Sequence, residues 1–545
     1  MKKTFRLQCS DILFIISVAL FITVIQNTRF FAHAWNIVNI NSFHSFMFSA
    51  SMPVLLFCCL NIIFTLLLLP YIRKPVAIVL ILTGAAINYF MYSFNTVIDQ
   101  NMTQNALETN AHEALDLLSF KMVIWFTLLG IIPSIAVALT KIKTTKSIWH
   151  FVWLKGVNII VSTLIIILIA LFFYKDYAPF FRNNKESVKM LTPSNMVGSL
   201  INNVANYLDA RKPFVQIGLD AHKGPLLAQQ PKKTLVILVL GETARAESFS
   251  LGGYDKNTNP MLSKRNDIIY FDNVSSCGTE TAVSVPCMFS NMTRKEYSAS
   301  QAKHTENLLD ILARAKINVL WRDNDGGCKG VCNRVPSEDM TAFKLPQYCQ
   351  DGACLDEILL HKLDDYINQL DNDGIIVLHQ MGSHGPSYHQ RYSKEYRHFM
   401  PTCDTNDIQD CDTTSLRNTY DNTLLYTDAV LDKTISLLQK HHDRFNTAML
   451  YLSDHGESLG ENGLYLHGAP YALAPSQQTH VPMLLWTSSD YRRSQKLDEN
   501  CLAKEAKQNQ FSQDNLFHSL LGTFNIQTGE YQAPLDMFKS CRQNS

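Results

Sequence analysis

Three apolar runs in the second half of the chain end on residues able to bind a metal or move a proton. TLVILVLGE ends on Glu242, GIIVLHQMGSHGP ends near His379 and His384, and AMLYLSDHGE ends on Asp454 and His455. Another histidine, His467, follows a short glycine-containing segment. Carboxylate oxygens together with imidazole nitrogens are the mixed donor set that Zn2+ takes in catalytic sites. Any one of these residues could be a capping or solvated group. Their joint occurrence at three run ends is the convergence that a catalytic site requires. The candidate nucleophiles lie elsewhere, in SSCGTETAVSVPCMFSNM, where Thr279, Thr281 and Ser284 stand between Cys277 and Cys287. Thr281 falls where a helix can begin, and the N–H groups at a helix start favour a phosphate. A hydroxyl is a weak nucleophile at neutral pH until a base or a metal takes its proton. A zinc ion held by Glu242, Asp454 and His455 would do this, while a helix-capping role for Thr281 stays open on composition alone.

The elements that must position these groups follow from the hydrophobic pattern. Short runs rich in Val, Ile and Leu at 234–240, 317–321, 375–379, 448–452 and 481–486 alternate with helical patterns at 305–315, 355–369 and 416–441. Strands buried on both faces and alternating with helices predict a mostly parallel α/β sheet. In such sheets the active residues gather at the carboxyl ends of the strands.

The first 175 residues have a different character. Apolar stretches at 11–31, 46–69, 76–96, 120–140 and 151–174 are each near the roughly 20 residues that cross a bilayer as a helix. The first is longer than the apolar core of a usual signal peptide and four more follow, so it is read as a retained anchor. Lys2, Lys3, Arg6, Arg73, Lys74, Lys141, Lys143 and Lys146 mark alternate loops, whereas 32–45 and 97–119 carry no Lys or Arg. The positive-inside rule then places the N-terminus in the cytoplasm and everything after the fifth span outside it. The division expected is a transmembrane domain over 1–175, an amphipathic bridging linker along the membrane over 176–230, and a soluble catalytic domain over 231–545. Formal net charge is zero, which gives no support for nucleic-acid binding.

Of thirteen cysteines, ten lie beyond residue 270. Many stand at short spacings: Cys277 and Cys287, Cys328 and Cys332, Cys349 and Cys354, Cys403 and Cys411, with Cys501 and Cys541 further apart. Disulfides persist in oxidising compartments such as the periplasm, in agreement with the topology. Spacing alone does not establish the connectivity. In the polar loop 97–119, Asn105, Thr109 and Glu113 recur every four residues and would share one face of a helix. That face is either solvated or a contact for a lipid head group.

The motifs GETARAE from Gly241, CGTETAVSVPCMFS from Cys277, WRDN from Trp321, GSHGP from Gly382 and SDHGESLGENGLYLHG from Ser453 resemble those of the bacterial lipid A phosphoethanolamine transferases of the polymyxin-resistance type. The resemblance covers essentially the whole chain. It implies five transmembrane helices joined to a periplasmic alkaline-phosphatase/sulfatase-like domain in the bacterial inner membrane. It implies a nucleophile at Thr281, and one tightly bound zinc ion on Glu242, Thr281, Asp454 and His455. His384 and His467 would bind substrate phosphate, act as acid or base, or hold a second, weaker zinc. Lys329 would contact substrate, and Asn105, Thr109 and Glu113 would handle the donor lipid. The donor would be phosphatidylethanolamine, the acceptor lipid A, and the working unit a monomer. Glu280 departs from the family, where a small residue is common, but it is not itself a catalytic position. Two related readings use the same site: a transferase with another acceptor or head group, such as lipopolysaccharide core or phosphoglycerol, and a membrane-anchored phosphatase or sulfatase. A silent scaffold is the reading from another class, and the complete ligand set argues against it.

Overall fold

The computed structural model describes residues 8–38, 40–94, 118–143, 147–183, 190–193, 213–350 and 353–543. Those up to 193 form one compact unit and those from 213 another. Asn105, Thr109 and Glu113 lie outside the described residues.

The first unit is helical: α1 (Asp11–Gln26), α2 (Thr28–Val38), α3 (Phe43–Leu67), α4 (Arg73–Ser93), α5 (Phe120–Leu139) and α6 (Ile148–Asn183). Helices α3, α4, α5 and the Ile148–Tyr174 part of α6 are each long and apolar enough to cross a membrane. The first expected span is not straight. Helices α1 and α2 meet at a 59° bend and make a fifth span only as a pair. Asn27 is the cause: its Nδ2 donates to Ile22 O at 3.0 Å and to Thr192 O at 2.9 Å, and its Oδ1 accepts from Thr192 N at 2.9 Å. A side chain inserted among the backbone hydrogen bonds is a known origin of kinks.

Lipid tails are as apolar as leucine, so polar contacts and close packing hold such helices together. Asn61 Nδ2 on α3 donates to Asn158 Oδ1 and Ser162 Oγ on α6 at 3.1 and 2.9 Å, and Asn158 Nδ2 donates back to Thr65 Oγ1 at 2.8 Å. Gln26 Nε2 on α1 donates to Ile81 O on α4 at 2.8 Å. Arg73 pairs with Asp11, both buried.

The second unit is built on a seven-stranded sheet. Its strands are β1 (Lys233–Gly241), β2 (Ile268–Phe271), β3 (Asn318–Asp323), β4 (Ser337–Asp339), β5 (Gly374–His379), β6 (Phe445–Ser453) and β7 (Met483–Thr487). The spatial order is β2-β7-β6-β1-β5-β3-β4. β6, β1, β5, β3 and β4 run parallel, and β7 and β2 join antiparallel at one side. Every residue of β5 and β6 is buried, as continuous apolar runs require when helices cover both faces. Register places Ser453 beside Gly241, His379 beside Leu240, and His379 beside Asp323. The carboxyl ends of β1, β3, β5 and β6 therefore share one edge.

The expected domain boundaries shift in two places. Helix α6 continues past residue 175 to Asn183. The soluble unit starts before residue 231: Val215 bridges to Thr305, and Gly224 N donates to Asn525 O at 2.8 Å. The end of the expected linker is thus hydrogen-bonded into the α/β unit, which gives its backbone groups partners that a free linker would lack. Five disulfides join Cys277–Cys287, Cys328–Cys332, Cys349–Cys354, Cys403–Cys411 and Cys501–Cys541. The three free thiols, Cys9, Cys58 and Cys59, belong to the helical unit.

Three helices of this unit are α7 (Thr281–Met288), which brings Thr281 to the sheet edge, α8 (Leu308–Arg314) and α9 (Thr413–Lys440). Asn307 caps α8, accepting from Leu309 N at 2.8 Å, while its Nδ2 donates to Val331 O at 2.8 Å in the loop closed by Cys328–Cys332. Asp310 accepts from Asn307 N in return, a reciprocal cap. Asn307→Ala removes the cap and the loop bond together and is expected to cost about 2 kcal/mol. A lowered midpoint in urea denaturation of the detergent-solubilised protein, with unchanged slope, is the expected result; an unchanged midpoint contradicts it.

Candidate active site and metal centre

Glu242 follows β1, and Asp454 and His455 follow β6, so adjacent parallel strands deliver all three to the same edge. Thr281 is the first residue of α7. The cap position belongs to Glu280, and no side chain caps this helix. The capping reading of Thr281 is therefore set aside. Its Oγ1 lies 3.3 and 3.2 Å from Glu242 Oε1 and Oε2, and 3.4 Å from His455 Nε2. His455 Nε2 lies 3.4 Å from Glu242 Oε1 and 3.2 Å from Asp454 Oδ2. All four residues are buried.

These spacings carry chemical information. His455 Nδ1 donates to Gly456 O at 3.0 Å, which fixes the tautomer and leaves the Nε2 lone pair facing carboxylate oxygens. Burial and the nearby His467 push the His455 pKa down to about 3, so the ring stays neutral. Asp454 Oδ1 accepts from Thr243 N and His455 N at 3.2 and 2.7 Å, while its Oδ2 is buried without a hydrogen-bond donor. Burial, then Asp454, raises the Glu242 pKa; burial likewise raises that of Asp454. Lone pairs and carboxylates facing one another in a buried pocket repel unless a cation lies among them. Ligands of a tetrahedral zinc ion stand about 3.3–3.6 Å apart. The donor set and its edge lengths fit zinc.

The edge is held rigidly. Gln513, fully buried, donates from Nε2 to Ser453 O and Asp454 O at 2.8 and 2.6 Å and accepts from Cys277 N at 2.6 Å. One side chain thus clamps the β6 end to the loop before Thr281, which Cys277–Cys287 closes. Gly382, at φ +52°, turns beneath Glu242, where a Cβ would lie 2.5 Å from Glu242 O. No other residue type fits that approach without displacing the strand end.

His384 and His467 also arrive here. The His467 ring centroid is 4.5 Å from that of His455 and 5.2 Å from that of His384. Burial opposes protonation of His467, but Glu457, whose Oε2 is 3.0 Å from Nδ1, raises its pKa. Tyr388 OH donates to the other Glu457 oxygen at 2.7 Å. Burial, reinforced by the charge of His467, pushes the His384 pKa well down. Two neighbouring imidazoles are thus biased in opposite directions, the arrangement that separates acid from base. Burial raises the pKa values of Glu242 and Asp325, and Lys329, at φ +49° in the loop closed by Cys328–Cys332, is close enough for its charge to offset part of that rise.

Several contributors escaped the sequence reading. Asp323 closes β3 and binds His379; the strand-end rule that found Glu242 would have found it. Asp325 lies two residues beyond. Glu457 stands inside the SDHGE motif as the partner of His467. Gln513 carries no signal, because a buried glutamine that braces two loops has no characteristic spacing.

A family model described as Sulfatase matches residues 234–526, and one described as Phosphoethanolamine transferase EptA/EptB matches residues 56–208. The chain is 49% identical over 527 residues to phosphoethanolamine transferase EptA of Escherichia coli K12, covering 97% of this chain and 96% of that protein. It is 39% identical over 498 residues to phosphatidylethanolamine transferase Mcr-1 of Escherichia coli, covering 89% and 91%. The integral membrane lipooligosaccharide phosphoethanolamine transferase A (EptA) from Neisseria meningitidis superposes with a TM-score of 0.96 at 39% identity, over 99% of this chain and 100% of that one.

Gln513→Leu keeps the side chain's bulk but strands three buried backbone groups. At about 1 kcal/mol or more for each, the variant is expected to lose about 3 kcal/mol of stability. A thermal melt of the solubilised protein reads this as a lowered midpoint, and a wild-type midpoint contradicts the clamp.

Proposed function

The chain belongs to the phosphoethanolamine transferase family, and from that premise we propose that it transfers phosphoethanolamine from phosphatidylethanolamine to a phosphate of lipid A through a covalent Thr281 intermediate. The observation that carries the reading is the approach of Thr281 Oγ1 to Glu242 and His455 at the start of α7. The names of the relatives support the substrates: one is a phosphatidylethanolamine transferase, another acts on lipooligosaccharide. In this reading the chain sits in the bacterial inner membrane with its α/β unit in the periplasm. Five disulfides support that compartment.

Glu242, Thr281, Asp454 and His455 would hold zinc, which supplies positive charge that lowers the pKa of a hydroxyl and screens phosphoryl oxygens. Thr281 Oγ1 loses its proton and attacks the donor phosphorus. The bond from phosphorus to the diacylglycerol oxygen breaks, and the phosphoethanolamine stays on the threonine. The N–H groups at the start of α7 favour a phosphate at this position. His467, kept basic by Glu457, is suited to protonate the departing oxygen, and His384, kept neutral by burial, is suited to accept a proton. A lipid A phosphate oxygen then attacks the phosphothreonine, and Thr281 Oγ1 leaves. Lys329 offers its charge to substrate phosphate, and Asn105, Thr109 and Glu113 are assigned to the donor head group. The product gains an ammonium group, which weakens the attraction of cationic peptides for the surface and gives polymyxin resistance as the expected phenotype.

Lipid A from a Gram-negative host expressing the chain is expected to gain the mass of phosphoethanolamine. Thr281→Ala abolishes that gain, and chelation of the purified enzyme stops transfer until Zn2+ is restored. A modified core oligosaccharide with unmodified lipid A overturns the acceptor assignment. Release of free ethanolamine phosphate without a modified acceptor overturns transfer itself.

A further inference from the structure

Beside the Thr281 cluster lies a second group of donors. Ligand atoms of Glu242, Asp325 and His379 all stand within 4.8 Å of one another, and all three residues are buried. The histidine is the informative member. His379 ends β5, and its Nδ1 is 2.9 Å from Asp323 Oδ2. Asp323 is itself immobilised: Trp321 Nε1 donates to Oδ2 at 2.9 Å, and the backbone N–H groups of Asp325, Gly326 and Gly327 donate to Oδ1 at 3.1, 2.9 and 2.8 Å. A carboxylate that holds one imidazole nitrogen fixes the tautomer and directs the other nitrogen at a metal, the outer support seen behind most ligating histidines. Here the other nitrogen, Nε2, is buried with no hydrogen-bond partner, 3.7 Å from Asp325 Oδ2. A buried imidazole nitrogen that has no hydrogen-bond partner and faces carboxylates is a donor that a cation would satisfy.

We propose that Glu242, Asp325 and His379 form a further divalent-metal subsite, which shares the Glu242 carboxylate with the Thr281 cluster and takes Zn2+ or a similar transition ion. Two carboxylates and one imidazole are a donor set for such ions rather than for calcium or magnesium. His379 Nε2 and Asp325 Oδ2 stand 3.7 Å apart, against 3.4 and 3.2 Å from His455 Nε2 to Glu242 and Asp454, so the ion here is the more weakly held of the two, with water completing its shell. A bridging carboxylate between two ions is the arrangement by which paired metals act together on one phosphoryl group. The subsite shares Glu242 with the proposed catalytic zinc, but it does not rest on phosphoethanolamine being the group transferred. It is also distinct from His384 and His467, neither of which contributes to it.

The test is equilibrium dialysis of the full-length, detergent-solubilised, chelator-stripped protein against a series of free Zn2+ concentrations, with bound metal counted by mass spectrometry. Asp325→Asn and His379→Gln are each expected to lose one bound ion per chain, the weaker one. Asp454→Asn loses the tighter ion, and His384→Gln leaves the weaker ion in place. Should His379→Gln fail to fold, the isosteric Asp325→Asn decides alone. A wild-type zinc count in Asp325→Asn, or in a folded His379→Gln, overturns the subsite. An unchanged count in Asp454→Asn instead overturns the zinc site at Thr281, so the two failures are told apart.

Discussion

Buried negative charge is the constraint around which the soluble unit is organised. Glu242, Asp323, Asp325, Asp356 and Asp454 all lie in the interior near one sheet edge. Two carboxylates 4 Å apart repel by about 4 kcal/mol even at an effective dielectric of 20. The fold meets this cost locally where it can. Asp323 is surrounded by donors which, with His379 beside it, bring its pKa to about 2 despite burial. Asp356 accepts from Met381 N, Gly382 N and Asn324 Nδ2 at 2.7, 2.9 and 2.8 Å. Those two carboxylates are structural. Asp356 braces the turn that brings Gly382 under Glu242 and Asp323 braces the turn at 325–327, while Asp454 Oδ2 is left without a donor. That imbalance suits the edge to a cation.

Rigidity at this edge comes from connections between loops rather than from the sheet alone. Gln513 joins the β6 end to the loop before α7. Gln478 performs a similar service on the other side, accepting from Ala469 N at 3.0 Å and donating to Leu466 O and Ser458 Oγ at 3.0 and 2.9 Å. It thereby fixes the segment that carries His467. Thr279 closes the circuit, donating to Ala469 O at 2.7 Å. Side chains held by buried amides in this way would pay little reorganisation cost if charge developed beside them.

How much of this could be read beforehand depended on whether a residue advertised itself by position. The central strands were visible as unbroken apolar runs, and Glu242, His379, Asp454 and His455 were visible because polar groups end those runs. The strands Ile268–Phe271 and Ser337–Asp339 were not, being short, and the second entirely polar. The break at Asn27 was hidden because an apolar window averages over a single amide. Asp325 and Glu457 were overlooked because each acts through a partner far along the chain or through a motif neighbour. Pairing of the ten soluble cysteines matched their spacing even for Cys501 and Cys541, which close a much longer loop than the others.

The reciprocal bonds between Asn27 and Thr192 tie the break in the first membrane helix to a segment 165 residues later. During synthesis that partner does not yet exist when the first helix leaves the ribosome. At roughly 5–20 residues per second the wait is on the order of ten seconds. Over that interval Asn27 must find other partners, in water, at the head-group boundary or in the insertion machinery. The final shape of the helix that enters first is therefore settled only after the last one has followed it, so the membrane unit locks from its two ends at once rather than in chain order.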